Sequence, residues 1–242
     1  MIGVFDSGVG GLTALAALRA RLPRADLCYF ADTGNAPYGT KSDEVLCRLV
    51  KADIDRLRRA GCQKILIACG TAGSVYERLP PEYRRNAFPI LRPAAKRAAR
   101  VTKNGRIGIL ATDATVRIGA LAQEVRDARS DAVLFSVAAA PLVTLAEEGR
   151  TSDRDPVARQ TVKDALAAFS DSDIDTLILG CTHFSRLSAL ISREMPGVRL
   201  VCAAEEGARA FFATLTEKEK DGGARLLFLK DTETTSLPKL PR

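Results

Sequence analysis

The chain has 242 residues, of which 46% are hydrophobic, 27% charged and 5% aromatic, and its formal net charge is +7. This composition is typical of a globular protein with a core large enough to fold without a metal or disulfides. No segment reaches the roughly 18 consecutive apolar residues of a membrane-spanning helix. The basic residues are dispersed and few aromatic residues accompany them, so we predict no nucleic-acid partner. We attribute the charge to solvated helix faces and an anionic substrate.

Short apolar runs recur along the chain and alternate with segments of helical period. They are apolar on both faces, as buried parallel strands are, and we predict strands over 2–6, 27–32, 64–69, 106–111, 132–137, 176–181, 198–203 and 225–229. Ser42 is expected to cap a helix that ends at Gly61, and Asp155-Pro156 to begin another. The alternation predicts an α/β fold.

Two stretches of similar sequence suggest that this architecture is doubled. KILIACGTA and DTLILGCTH each follow a helical segment and place a cysteine at the end of an apolar run. We therefore predict two similar α/β lobes with mainly parallel sheets and the active site between them, at the carboxyl ends of the strands. The first lobe comprises residues 1–92 and 212–242 and the second residues 93–211, with the polar segment 231–242 frayed.

The six cysteines do not form a metal-binding or disulfide pattern. They are scattered, no CxxC occurs and the chain has one histidine, so we predict reduced cysteines and no metal site. The start MIGVFDSG lacks the features of a signal peptide, which favours a cytoplasmic location. Four cysteines are predicted to be small core residues, namely 28, 47, 62 and 202.

Two glycine-containing loops are candidates for binding. DSGVGG (6–11) follows the first strand and opens a helix, so its backbone N–H groups can face a small anion; a tight turn alone is the other interpretation. The loop brings with it the carboxylate of Asp6 and the hydroxyl of Ser7. DTGNAPYG (32–39), which carries Tyr38, is typical of a turn.

Cys69 and Cys181 differ from the other cysteines because each leads into a helix-starting sequence. A helix N-terminus stabilises a thiolate near neutral pH, and His183 can exchange a proton with Cys181. Two converging thiols suit the removal of a proton from one face of a carbon and its delivery to the other face. A hydrolase needs only one nucleophile with an oriented base, which would leave the second cysteine without a role.

Several motifs, in order and at appropriate spacing, resemble those of one family. MIGVFDSGVGGLTAL, YFADTGNAPYGTKS, ILIACGTA, IGILATDAT, PLVTLAEEG and LILGCTH resemble the glutamate racemases of the Asp/Glu racemase superfamily between residues 2 and 210. The resemblance implies a two-lobed homodimeric isomerase that needs no pyridoxal phosphate or other cofactor. It also implies an acidic amino acid as substrate and D-glutamate for peptidoglycan as product.

The same resemblance implies roles for individual residues. Cys69 and Cys181 would be the acid/base thiols, assisted by Asp6 and His183 respectively, with Cys181 taking the proton of the L-enantiomer. The substrate contacts that it implies are Asp6, Ser7, Tyr38, Gly39, Gly70, Thr71, Thr115, Thr182 and His183.

The chain departs from the family pattern at Gly70, where asparagine is usual, at Phe184-Ser185 and at Cys202-Ala203. An asparagine at position 70 would offer amide hydrogen bonds, so from sequence we expect Gly70→Asn to improve kcat/KM for glutamate. The departures leave other functions open. These are an aspartate racemase, a decarboxylase resembling arylmalonate decarboxylase that works with one thiol, and a racemase-like binding protein with weak or no turnover.

Overall fold

The computed structural model describes residues 1–229. The predicted frayed segment 231–242 lies outside the described residues. Within them the chain forms nine strands: β1 (Ile2–Asp6), β2 (Leu27–Ala31), β3 (Lys64–Ile67), β4 (Ala87–Pro89), β5 (Arg106–Ala111), β6 (Val133–Ala138), β7 (Thr176–Leu179), β8 (Arg199–Cys202) and β9 (Leu226–Leu229).

The helices alternate with these strands, which confirms the predicted α/β fold. They are α1 (Leu12–Arg21), α2 (Asp43–Arg59), α3 (Gly70–Ser74), α4 (Pro81–Arg84), α5 (Leu91–Val101), α6 (Asp113–Ile118), α7 (Ala120–Ala128), α8 (Ala140–Glu147), α9 (Pro156–Leu166), α10 (Ser188–Glu194), α11 (Ala203–Phe212) and α12 (Glu217–Lys220). Both predicted caps are present, since the Ser42 side chain accepts from the Val45 N–H and Asp155 accepts from the N–H groups of Val157 and Ala158.

The strands form two parallel sheets. The first has the order β4-β3-β1-β2-β9 and the second the order β6-β5-β7-β8, and every pairing within them is parallel. The chain order reverses beside β1 in the first sheet and beside β5 in the second. Ligands of open parallel sheets bind outside the carboxyl ends of the strands at such a reversal. The loops after β1, β3, β5 and β7 are therefore the ones that the topology favours for a site.

The predicted strand ends need correction at both cysteines. The strands β3 and β7 end at Ile67 and Leu179, two residues before Cys69 and Cys181. The apolar run continues beyond the last paired residue, which made the strands look longer in sequence. The sequence also gave no signal for β4, because a three-residue strand that ends in proline is too short to show a pattern.

The apolar core runs through both sheets. One cluster joins Ile2 and Leu15, from the part of the chain assigned to the first lobe, to Ile107 and Val201 from the second. The strands of the first sheet lie within residues 1–92 and 212–229 and those of the second within residues 93–211, but α5 and α11 each cross one of these boundaries. We keep the two-lobe division as a proposal that rests on the sheets.

Candidate active site

The loops at the carboxyl ends of both sheets enclose one cavity of about 320 Å³. Nine of the predicted site residues line it, namely Ser7, Tyr38, Gly39, Cys69, Gly70, Thr71, Cys181, Thr182 and His183. The remaining two, Asp6 and Thr115, lie behind the cavity wall, buried and bonded to residues that form it. The structure thus brings the predicted residues of both sheets together at one place.

Cys69 is held by the start of the helix that follows it. Its Sγ lies 3.5 Å from the Ala72 N–H, which donates to it, and 3.5 Å from the Ser7 hydroxyl. Burial nevertheless raises the pKa of the Cys69 thiol to about 11, and the nearby charge of Asp6 adds to the effect. The helix start lowers this pKa, as expected from sequence, but burial has the larger influence.

Cys181 is also a buried thiol that keeps its proton. Burial raises its pKa above the ordinary value, and the charges of Cys69, Asp6 and Glu147 act in the same direction, whereas the backbone N–H of His183 lowers it. The expectation that helix starts make these cysteines thiolates near neutral pH is therefore wrong for the free protein. A base must take the proton from each thiol before that thiol can act as a base itself.

His183 stands where it can take the proton of Cys181. Its Nδ1 lies 3.5 Å from the Cys181 Sγ, and its Nε2 lies 3.4 Å from a carboxylate oxygen of Glu147, within ion-pair distance but without a hydrogen bond. Burial lowers the pKa of His183, so the ring is neutral at pH 7 and Nδ1 can accept a proton. The Glu147 carboxylate would then stabilise the charged ring.

Asp6 is the buried counterpart on the Cys69 side. Its two carboxylate oxygens accept from the Gly8 N–H at 2.9 Å and from the Thr182 hydroxyl at 3.1 Å. Burial raises the pKa of Asp6 to about 6, against an ordinary 3.8, although these hydrogen bonds lower it. The carboxyl therefore titrates close to neutral pH, which suits a group that relays protons.

The raised pKa of Asp6 predicts a pH-dependent gain in stability for the Asp6→Asn variant. A folded-state pKa above the unfolded one contributes stability below pH 4 that is lost as the pH rises through about 6. Asparagine does not titrate, so the free energy of unfolding of the variant relative to the parent should rise by roughly 3 kcal/mol between pH 3 and pH 8. Urea unfolding of both proteins across this range measures the difference.

Asp155→Asn serves as the control of opposite sign. Hydrogen bonds from Arg150 hold the pKa of the Asp155 carboxyl at about 2, and the helix N–H groups contribute to this. The lowered pKa stabilises the folded parent above pH 4, and this stabilisation is lost as the pH falls towards 2. The free energy of unfolding of Asp155→Asn relative to the parent should therefore fall as the pH rises. A relative stability of Asp6→Asn that stays constant from pH 3 to 8 would contradict the assigned titration.

Tyr38 lines the cavity, but its hydroxyl is bonded within the protein. The hydroxyl oxygen lies 2.5 Å from a carboxylate oxygen of Asp32 and 2.8 Å from one of Asp53. Burial and these carboxylates raise the pKa of Tyr38, so it stays protonated. The Tyr38 side chain thus anchors the loop that carries Gly39 to α2.

A chain of threonine hydroxyls connects the two sheets beside the cavity. The Thr71 hydroxyl lies 2.8 Å from that of Thr112, which lies 2.9 Å from that of Thr115. Thr112 lines the cavity and Thr115 supports it. Thr115 therefore supports the cavity wall through Thr112, and the predicted direct contact of Thr115 with the substrate is not seen at the cavity surface.

The charge of the cavity differs from what the composition suggested. Its charged lining residues are the acids Asp113 and Glu147, and no lysine or arginine lines it among the described residues. Basic residues pair elsewhere, as Arg117 does with Asp43. An anionic substrate must therefore be bound by backbone N–H groups and hydroxyls, and the predicted link between the net positive charge and the substrate is wrong.

Sequence reasoning missed several residues of the site, and Glu147 is the main one. It ends α8, which also supplies Ala140, Val143 and Thr144 to the cavity wall. The segment PLVTLAEEG contributed to the family resemblance, but nothing within it shows that α8 packs beside His183. The contact depends on the fold, and the same holds for Thr112.

Gly70 corrects the expectation for asparagine at this position. A Cβ built on Gly70 would lie 2.0 Å from the carbonyl oxygen of Gly180, a distance that real Cβ atoms do not show. Every side chain shares the Cβ, so no rotamer relieves the overlap. The structure therefore contradicts the premise that Gly70→Asn restores a missing contact and improves kcat/KM.

Neither a metal centre nor a membrane segment is found in the described part of the chain. Residues 1–229 contain no group of three or more His, Cys, Asp or Glu side chains that could hold a metal ion. No helix among them is both long and apolar enough to span a bilayer. The chemistry of the cavity is thus that of two thiols, an imidazole, carboxylates and hydroxyls.

The mixed α/β fold with two parallel sheets matches that of solved glutamate racemases, which are amino-acid racemases and therefore isomerases. Residues 14–211 match the model of the Asp/Glu/Hydantoin racemase family. The glutamate racemase of Geobacter metallireducens is 38% identical over 210 residues, or 86% of this chain and 77% of the relative. The chain therefore belongs to the Asp/Glu/Hydantoin racemase family.

Solved structures agree with this assignment. The glutamate racemase of Thermus thermophilus in complex with β-chloro-D-alanine is 36% identical, with a TM-score of 0.83 over 96% of this chain and 88% of that one. The glutamate racemase of Francisella tularensis in complex with D-glutamate is 26% identical, with a TM-score of 0.86 over 98% and 88% of the two chains.

Proposed function

We propose that the protein interconverts L- and D-glutamate without a cofactor, by a two-base mechanism in which Cys69 and Cys181 act on opposite faces of the α-carbon. The observation that carries the proposal is that one cavity holds a thiol from each sheet, with His183 beside Cys181 and the Ser7 hydroxyl beside Cys69. The relatives named as glutamate racemases, and the relative with D-glutamate bound, support glutamate as the substrate.

Proton transfer in this scheme needs one thiolate and one thiol at a time. Starting from L-glutamate, His183 accepts the proton of Cys181, and the thiolate removes the α-proton. Cys69 then donates its proton to the other face of the carbanion, and Asp6 assists this thiol from behind the wall. Burial makes each thiolate a strong base once formed, which favours abstraction from a weakly acidic carbon.

Substrate binding in this scheme relies on neutral donors. We assign the carboxylates to backbone N–H groups and hydroxyls of the loops that line the cavity, with Ser7 and Thr71 supplying hydroxyls and Gly39 and Thr182 supplying backbone N–H groups. The acids Asp113 and Glu147 at the cavity suit the α-ammonium group. Low dielectric at this buried site strengthens such contacts relative to water.

Exchange of the α-proton with solvent tests this function directly. We expect the purified protein, without pyridoxal phosphate, to racemise L-glutamate in heavy water, and the D-product to carry one deuterium at the α-carbon. The reason is that the donating thiol exchanges its proton with solvent before the substrate binds. Chiral chromatography with mass spectrometry measures both. Dependence on pyridoxal phosphate, or product without deuterium, would contradict the mechanism.

The same assay separates the other candidate functions. A panel of aspartate, glutamate and an arylmalonate distinguishes racemisation of another acidic substrate from decarboxylation, which releases carbon dioxide. A binding protein would give neither product. The second thiol favours racemisation over decarboxylation, since the decarboxylase scheme uses one.

We also propose the wider setting that the family resemblance implies. The protein would act in the cytoplasm as a homodimer and supply D-glutamate for peptidoglycan. Sedimentation equilibrium tests the dimer, and a single species of one-chain mass would overturn it.

A further inference from the structure

The backbone of Gly70 lies directly against the peptide group that precedes Cys181. A Cβ on Gly70 would meet the carbonyl oxygen of Gly180 at 2.0 Å and its carbonyl carbon at 3.2 Å. Gly70 follows Cys69 in the chain, and Gly180 precedes Cys181. The contact therefore joins the two cysteine-bearing loops through their backbones, which cannot rotate away as a side chain can.

A second glycine approaches the same loop from the segment between β1 and α1. A Cβ on Gly10 would lie 2.5 Å from the Thr182 hydroxyl oxygen and 2.8 Å from two ring atoms of His183. Beside it, the Thr182 hydroxyl donates to Asp6 at 3.1 Å. Residues 180–183, here called the second-cysteine loop, are thus contacted closely by both glycines.

We propose that Gly70, supported by Gly10, is a positioning residue that sets the separation of the two thiols. The lack of a side chain at each position lets the second-cysteine loop approach Cys69 more closely than any other residue would allow. In this chain, position 70 contributes a closer approach of the two loops and no side-chain contact with the substrate. The inference rests on the proposed two-thiol function.

A change in this separation should have a large effect on catalysis. Relieving the overlap at Gly70→Ala requires a shift of about 1 Å between Gly180 and residue 70. A misplacement of about 1 Å costs on the order of 10²-fold in rate. We expect kcat to fall by about this factor from both enantiomers. The α-deuterium isotope effect should rise, because proton transfer becomes the slow step.

Gly73→Ala is the matched control, because it lies in the same short helix. A Cβ on Gly73 would lie 3.4 Å from the Pro89 side chain and 3.5 Å from that of Leu91, which is ordinary contact. Alanine also favours the helix over glycine. We expect kcat and isotope effects within about two-fold of the parent.

The experiment compares kinetics, isotope effects, thermal melting and crystal structures of the parent, Gly70→Ala and Gly73→Ala. A purely structural role of Gly70 would lower the folded fraction and the melting temperature and leave KM and the isotope effect unchanged, which would overturn the inference. So would crystals in which the sulfur–sulfur distance of Gly70→Ala equals that of Gly73→Ala. A parent that does not racemise glutamate would contradict the proposed function alone, since the crystal structures still test the separation.

A second variant covers the case in which Gly70→Ala does not fold. Gly10→Ala presses on side-chain atoms of Thr182 and His183, which can move, so it should fold more readily. We expect it to lower kcat by about 10-fold, with a raised isotope effect, because Thr182 and His183 must shift and the second-cysteine loop moves away from Cys69 with them. Parent values for both quantities in folded Gly10→Ala would overturn the inference.

Discussion

Replacing Cys69 or Cys181 by alanine is expected to lower the rate of glutamate racemisation by at least about 10²–10⁴-fold in both directions. In the proposed mechanism each thiol removes the α-proton of one enantiomer and delivers the proton that forms the same enantiomer, so the loss of either thiol blocks both directions. Circular dichroism of L- and D-glutamate solutions follows the two reactions with each variant.

The controls are cysteines outside the cavity. Cys28 is buried in the core of the first sheet and Cys47 is half-buried on α2. Cys28→Ala and Cys47→Ala should change mainly the melting temperature, since neither sulfur lines the cavity. Near-parent activity of the Cys181 variant would refute the two-base mechanism and favour one-thiol chemistry.

Much of the fold was predictable because buried parallel strands are apolar on both faces. β1 and β5 begin and end where the sequence predicted. The ends of the strands near Cys69 and Cys181 could not be predicted, because hydrophobic burial continues beyond the last paired residue. Three-residue β4 carries too few residues for a period to show.

The candidate site was predictable where its residues sit in strand-end loops. Cys69, Cys181 and His183 stand in such loops, and parallel sheets bring these loops to one edge. The position of Glu147 depends on how α8 packs, and the contact of Gly70 with Gly180 depends on how the two sheets face each other. Contacts between segments so distant in sequence leave no local pattern.

The burial of both thiols could likewise not be predicted from the sequence. A helix start beside a cysteine predicts a lowered pKa, and the Ala72 N–H does lower that of Cys69. The size of the opposing effect depends on how completely the loops cover the sulfur, which is a property of the closed cavity. The raised thiol pKa values explain why each cysteine needs a neighbouring base.

His183→Asn is expected to lower kcat by about 10²-fold, the low end of the range for a positioned proton acceptor. Asparagine cannot accept the Cys181 proton, although its amide fills part of the same space. The decrease in kcat/KM must be equal from both enantiomers, because the equilibrium constant of the reaction is fixed by the symmetry of the substrates. The decrease in kcat itself can differ between the two directions.

Isotope effects distinguish this role of His183 from a structural one. The substitution raises the activation barrier of the proton transfer between Cys181 and the α-carbon. This is the step in which L-glutamate loses its α-proton. The α-deuterium effect on kcat/KM should therefore increase from L-glutamate and decrease from D-glutamate, whose α-proton leaves at the Cys69 barrier. Asp6→Asn removes the carboxyl that we assign to assist Cys69 and should give the reverse pattern. Parent isotope effects from both enantiomers of His183→Asn would assign the 3.5 Å contact between Nδ1 and Sγ to packing alone.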